Sequence, residues 1–282
     1  MKRQGLQRKY RNLPRWIVFA VAAFVMNFPV ISTISASLKT GAEISRNPGL
    51  WVYEPILQNY AAILEVTERL NIFAYLQNSL IASLIGAILP IMLCFPVAYA
   101  IARRGYGTNV IFPTIVNLRA MPLIIFAIPL YMMYRTVGLL DTSLGLGLIL
   151  AVVNLPLALL LLVNAINDVP YELDEAARMD GARIFRVLVK IVLPICLPAL
   201  ATVFIFSFIT AWNEFLFGLM ITTTRAVPMT VGASFFFSSG GAGVQWGVAA
   251  AVIVVASLPP VVLGILMYKQ ISRSMTAGAV KG

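Results

Sequence analysis

The chain has 282 residues, 60% hydrophobic and only 11% charged, with a formal net charge of +10. Soluble domains carry about 25% charged residues; the deficit here comes from apolar runs of bilayer-spanning length, which excludes a soluble globular protein. The positive charge does not point to nucleic acid either, because Lys2, Arg3, Arg8, Lys9, Arg11 and Arg15 all precede the first apolar run instead of interleaving with aromatics.

The chain contains no histidine. That removes imidazole acid–base chemistry, the serine and cysteine triads and most zinc sites. There is also no GxxxxGK(S/T) phosphate loop, so no catalytic residue, metal site or nucleotide site is expected on this chain.

In chain order, a basic tail (1–15) leads into a first span at 16–38. The basic start, apolar run and Ser35-Ala36-Ser37 imitate a secretory signal. The run is too long for a signal core and five more spans follow, so it reads as a retained anchor. The later spans are placed at 74–102, 109–134, 143–167, 191–222 and 245–268. Cys94 and Cys196 lie inside apolar runs as small hydrophobes, not as a disulfide.

Pro90, Pro96, Pro122, Pro129, Pro156, Pro198, Pro259 and Pro260 fall inside the spans. Bent or broken helices are tolerated in a membrane where protein or a water-lined cavity satisfies the freed backbone groups. No internal repeat of the secondary-transporter kind is evident.

Orientation follows from the basic residues. With the N-terminus inside, fifteen Lys/Arg face the cytoplasm and five (Lys39, Arg46, Arg69, Arg135 and Arg225) face outward. Both termini are then cytoplasmic, and so is the loop between the fourth and fifth spans.

Some spans carry polar groups: Asn117 and Arg119 in the third, Asn154 in the fourth, and Trp212, Asn213 and Glu214 in the fifth. A charge at a helix centre costs about 2.5–3.5 kcal/mol, so each must face protein or water. Either Arg119 and Glu214 pair with each other or with polar neighbours, or these groups line a path for cargo. An aromatic face beside amide and carboxylate acceptors suits a sugar.

The cytoplasmic loop contains "EAARMDGARIFRVLVKIVLP" at 175–194. Pro170 suits a first helical position, and Glu172, Asp174 and Glu175 sit where the positive helix end favours acids. Asp174 and Arg178 are four apart in the favourable order. Gly181 ends this short helix by taking the left-handed conformation. A second, amphipathic helix with Arg183, Arg186 and Lys190 on one face is expected at the membrane surface, bending at Pro194 into the fifth span.

The stretch matches EAA, three residues, Gly, nine residues, Ile-X-Leu-Pro at Glu175, Ala176, Ala177, Gly181, Ile191, Leu193 and Pro194. It resembles the EAA loop of permease subunits in bacterial binding-protein-dependent ABC importers. "NSLIASL" (78–84), "AYAIAR" (98–103), "IPLYMM" (128–133), "AWNEFLF" (211–217) and "TAGAVKG" (276–282) look like the carbohydrate-uptake branch, in its maltose-permease-like form. The resemblance runs from about residue 74 to the end.

What this implies is an all-α membrane protein with six transmembrane helices, the type I ABC importer permease fold, and a cytoplasmic coupling helix. Its parts would be the tail 1–15, the first span with its outer loop 16–73, the permease core 74–270, and a cytoplasmic tail 271–282. Glu175, Ala176, Ala177, Asp180, Gly181 and Arg183 would form the joint with a separate ATPase. ATP and Mg would be bound there and not here.

The tail is on composition a frayed terminus; by resemblance, Gly278 and Lys281 would reach the ATPase dimer. In the outer loop, Phe235, Phe236 and Phe237 with Gly240 and Gly241 are either interfacial anchors or a segment that engages a sugar-binding protein. The implied partners are a second, distinct permease, two ATPase subunits, an extracytoplasmic sugar-binding protein and lipid, with no nucleic acid. The rivals are an ion-coupled secondary transporter, a membrane-embedded enzyme, and the same family with glycerol-phosphate-type cargo.

Overall fold

The computed structural model describes residues 13–67, 70–237 and 244–268. Among the described residues there are helices and connections but no strand. They fall into two compact units, one drawn from Met1–Leu70 and Phe235–Val255, the other from Asn71–Ser234 and Ala256–Gly282.

In the first unit, α1 (Leu13–Ser37) is apolar all round, and Trp16, Phe19, Val25 and Met26 are all exposed. A helix with no polar face has hydrocarbon or other apolar helices for surroundings. Its C-terminal end is stapled to two short helices, α2 (Gly41–Arg46) and α3 (Gln58–Leu64). Asn59 donates to the Ser37 and Lys39 carbonyls, both at 2.9 Å. Lys39, counted among the outer basic residues, is in fact buried, with its ammonium on the carbonyls of Asn47 (3.0 Å) and Gly49 (2.5 Å). Those carbonyls replace the water that burial removes.

The second unit begins with α4 (Ile72–Arg104), whose 33 residues include Pro90 and Pro96 without a break. Next come α5 (Ile111–Asn117), a 3-10 turn at Leu118–Ala120, and α6 (Ile124–Val137). Then follow α7 (Ser143–Asn167), α8 (Glu172–Met179), α9 (Ile184–Val187), α10 (Leu193–Trp212) and α11 (Leu216–Ile221). Helices α12 (Met229–Phe236) and α13 (Trp246–Leu266) complete the described chain, and both are divided between the units, at Phe235 and at Val255.

The core of this unit is α4 packed along α7, with α10 against both. Small residues allow the approach: a Cβ on Gly86 would lie 2.8 Å from Leu150 Cβ, and one on Gly147 would lie 2.7 Å from Ile85 Cβ. Close backbone contact of this kind is how helices associate where hydrocarbon supplies no hydrophobic drive. One core cluster joins Phe95, Tyr99, Leu159, Leu162, Val187 and Val203; another joins Ala82, Tyr134, Leu150, Ala211 and Phe217.

Among the described residues five helices are long and apolar enough to cross a membrane, and there are six if the α5–α6 pair, bent by 106°, is counted as one span. The expected third span is thus broken. Met121 is extended (φ −82°, ψ 134°), the conformation that a following proline imposes.

The fifth span also differs. The segment expected to lie on the surface before Pro194 runs straight into it, from Ile184 to Trp212. A π turn at Leu188–Val192 precedes α10. Pro194 has no N–H and its ring crowds the carbonyl four residues back, so the wider turn removes both conflicts. Val187 and Val192 are fully buried, which a helix lying on headgroups would not permit.

Candidate functional site

The 175–194 motif is built around α8. Its exposed residues are Glu172, Leu173, Glu175, Ala176 and Met179, the last 88% exposed. Glu172, Glu175, Ala176 and Met179 are spaced three and four apart and share one face. Asp174 and Ala177 face the opposite way and are buried. Pro170 does not take the first helical position: Tyr171 is the N-cap and Glu172 the first helical residue.

The helix stops in a Schellman turn. Gly181 adopts φ +80°, its N–H donates to Arg178 O (2.9 Å), and Ala182 N–H donates to Ala177 O (2.9 Å). Asp180 caps the last turn, and Arg183, at the N-cap of α9, is exposed.

Asp174 does not make the local pair with Arg178 that its spacing suggests. Its Oδ2 accepts from Tyr99 Oη at 2.7 Å and Arg103 Nε at 3.2 Å, both from α4. Arg103 also donates to Val169 O (2.8 Å) and lies over the Tyr171 ring, 5.6 Å from its centroid. Sequence reading missed Tyr99 and Arg103; the signal available was a basic residue at the end of a span, which was absorbed into the orientation count.

A cavity of about 570 Å³ opens between α4, the broken α5–α6 pair, α7, α10 and α11. Most of its lining is apolar, from Leu89, Leu93, Phe126 and Leu130 to Phe217, with Arg119, Asn154 and Thr210 as polar members. Arg119 sits in the 3-10 turn at the break. Asn154 is buried and donates to Gly86 O (2.9 Å) and Ser207 O (3.0 Å), tying α7 to α4 and α10.

The other polar residues do not line this cavity. Asn117 is exposed at the end of α5. Trp212 is buried, stacked on Phe208 (5.8 Å), with its indole N–H on Ala256 O (3.0 Å), so it offers no free aromatic face. Asn213 bonds back to Ile209 O (2.8 Å). Glu214 is no partner of Arg119: it caps the restart of the helix, accepting from Phe217 N (3.0 Å) and Gly218 N (3.3 Å).

The family model described as "Binding-protein-dependent transport system inner membrane component" matches residues 92–277. The chain belongs to this family. Among curated relatives, the sulfoquinovosyl glycerol transport system permease protein SmoH of Agrobacterium fabrum is 30% identical over 282 residues, covering 99% of this chain and 97% of that protein. The trehalose/maltose transport system permease protein MalG of Thermococcus litoralis is 32% identical over 262 residues, covering 92% and 93%. A crystal structure of a bacterial ABC transporter that imports the acidic polysaccharide alginate matches with a TM-score of 0.74 at 21% identity, over 93% of this chain and 97% of that one. The chain therefore has the helical fold of ABC importer permeases and is a multi-pass membrane protein.

On this permease the segment ahead of the last span is not uniform. Phe236 is fully buried, Phe237 half-buried and Phe235 38% exposed, so the three phenylalanines do not act as one exposed patch. Gly240, Gly241, Gly278 and Lys281 lie outside the described residues, as does the basic tail before residue 13. No sequence motif marks Asp141, at φ +53°, whose carboxylate gathers the backbone N–H groups of Thr223, Thr224, Arg225 and Ala226.

Proposed function

We propose that this chain is a permease subunit of an ATP-driven, binding-protein-dependent importer that moves a sugar or sugar derivative across the cytoplasmic membrane. Both termini are cytoplasmic, and α8 is the coupling helix. One observation supports this above all: α8 is held on its buried face and presents Glu172, Glu175, Ala176 and Met179 outward. The small Ala176 lets a partner surface approach, and the Glu175 carboxylate can accept a bidentate arginine.

ATP and Mg belong in this reading to two separate ATPase subunits, and this chain makes no covalent chemistry. A second, distinct permease, an extracytoplasmic sugar-binding protein and surrounding lipid complete the assembly. Relatives named for trehalose, maltose and sulfoquinovosyl glycerol support sugar or sugar-derivative cargo. Arg119 and Asn154, on the 570 Å³ cavity, are the residues assigned here to the translocation path.

The test is tagged purification in mild detergent of wild type and Glu175→Arg, with mass spectrometry of what co-purifies. The wild type is expected to bring down a phosphate-loop ATPase, and the charge reversal to lose it while keeping the second permease. If a well-folded wild type brings down no ATPase and an ion gradient alone drives uptake, the importer reading fails in favour of a secondary transporter.

A further inference from the structure

Two short connections join α8 to the spans: residues 168–171 from α7, and the Gly181 turn toward α9. A push on the exposed face of α8 reaches only the spans at these two connections unless something else also grips the helix. The grip comes from α4. Arg103 reaches three successive points of the loop: Val169 O ahead of the helix, the Tyr171 ring at its cap, and Asp174 in its first turn. Tyr99, one turn back on α4, holds the same Asp174 oxygen.

Helix ends favour this arrangement. Arg103 lies in the last turn of α4 and Asp174 in the first turn of α8, so each charge meets the helix end that suits it. All three side chains are out of water, with Asp174 fully buried and the Arg103 side chain 5% exposed.

Stability alone is a poor reason for this burial. A buried ion pair roughly breaks even against well-packed apolar residues of the same size. What it supplies is direction and register. Arg178 joins the cluster as well: its guanidinium interacts with the Tyr99 hydroxyl and lies near the Asp174 charge.

We infer that Tyr99, Arg103 and Asp174 are positioning residues that bind the coupling helix to α4, so that movement of the loop is delivered to the α4–α7 core as well as to the two spans the loop connects. This rests on the importer reading above, and the experiment separates the two.

Tyr99→Phe, Arg103→Lys and Asp174→Asn are compared with wild type in the full importer in lipid, with Arg104→Gln as an exposed, adjacent loss of charge. The readouts are ATPase retained on the complex and cargo moved per ATP hydrolysed. The three variants are expected to keep their ATPase but to move about fivefold less cargo per ATP, the low end of typical coupling energies, while Arg104→Gln behaves as wild type.

In parallel, spin labels at Arg104→Cys and Met179→Cys, both exposed, report the α4–α8 distance in the chain alone; the native Cys94 and Cys196 are buried. The distribution is expected to be narrow in wild type and to broaden in Asp174→Asn. Unchanged coupling with a narrow distribution in Tyr99→Phe and Asp174→Asn overturns the joint while leaving the importer standing. Loss of the ATPase from Tyr99→Phe, the mildest change, also overturns it in favour of a docking role. If wild type itself binds no ATPase, the importer reading fails, and the label distances still decide whether α4 holds α8.

Discussion

The Asp141 carboxylate accepts a hydrogen bond from the backbone N–H of Thr223, 82 residues later, at 2.9 Å. The N–H groups of Thr224, Arg225 and Ala226 and the hydroxyls of Thr223 and Thr224 converge on the same group. Asp141 N–H returns a bond to Ile221 O at 2.8 Å. Consecutive amides wrapped around one anion form a nest, and this one pins the turn between α6 and α7 to the loop after α11. Asn78 reinforces it from α4 by donating to the carbonyls of Arg225 and Val227.

This contact fixes a pH dependence. Partial burial pushes the Asp141 carboxyl up, but the hydrogen bonds from Thr223, Arg225 and Ala226 outweigh it and hold the group well below the usual carboxylate range. A folded-state pKa below the unfolded one gives stability that is complete above the unfolded value, about 3.9, and lost as pH falls toward the folded one. Asp141→Asn is therefore expected to lower stability by about 1–2 kcal/mol, a modest figure because the carboxylate is partly solvent-exposed. Thermal unfolding in detergent should show a gap between variant and wild type that stays flat from pH 8 to pH 5 and narrows only below about pH 4. A gap that narrows between pH 7 and pH 5 would contradict this account.

The α4–α7 contact gives a steric prediction. Gly147→Ala would place a Cβ 2.7 Å from Ile85 Cβ, and Gly86→Ala one 2.8 Å from Leu150 Cβ. Overpacking of this kind costs about 1–3 kcal/mol, which outweighs the gain of up to about 1 kcal/mol from replacing a helical glycine. Gly264→Ala, with nothing within 4 Å, is expected to be neutral or slightly stabilising. Melting temperatures of the three purified variants make the comparison, and equal behaviour would remove close backbone packing as the reason for Gly86 and Gly147.

The spans were legible because bilayer length leaves a compositional trace: 143–167 was placed to the residue and most others within a few, but the fifth takes in the expected surface segment at its start and its helix ends at Trp212, ten residues short of 222. Their interruptions were not. Pro90, Pro96 and Pro156 sit inside continuous helices, whereas Pro122 accompanies a 106° bend, so proline alone does not say which span breaks. The Gly181 turn was legible because a Schellman ending is written in adjacent residues. The partners of Asp174 and Asp141 were not, for the opposite reason. Local spacing offered Arg178 for Asp174, while the true partner lies 71 residues away, and Thr222–Arg225 reads as an ordinary polar loop until Asp141 is placed inside it.

The Gly181 turn can be tested without a clash. No atom lies within 4 Å of where its Cβ would be, so Gly181→Ala pays only for the left-handed conformation, about 1–2 kcal/mol. Asn tolerates that region better. The expected order of thermal stability is Gly181, then Asn, then Ala. An alanine variant as stable as wild type would mean that the turn can re-form with ordinary backbone angles.

Arg119 and Glu214 give the last prediction, because the sequence left open whether these intramembrane charges pair. Glu214 is occupied by the N–H groups of Phe217 and Gly218, while Arg119 has no polar partner among the described residues and lines the cavity instead. Glu214→Ala removes a helix cap and is expected to cost about 1 kcal/mol of stability. Arg119→Gln breaks no contact within the chain, so its thermal stability should match wild type while uptake by the assembled importer falls. Groups that do not interact have additive effects to within about 0.3–0.5 kcal/mol, and the Arg119→Gln/Glu214→Ala double variant is expected to obey that limit. A larger coupling energy would mean that the charges do meet in some state of the transport cycle, and the arginine would then be a moving counter-charge instead of a fixed wall of the cavity.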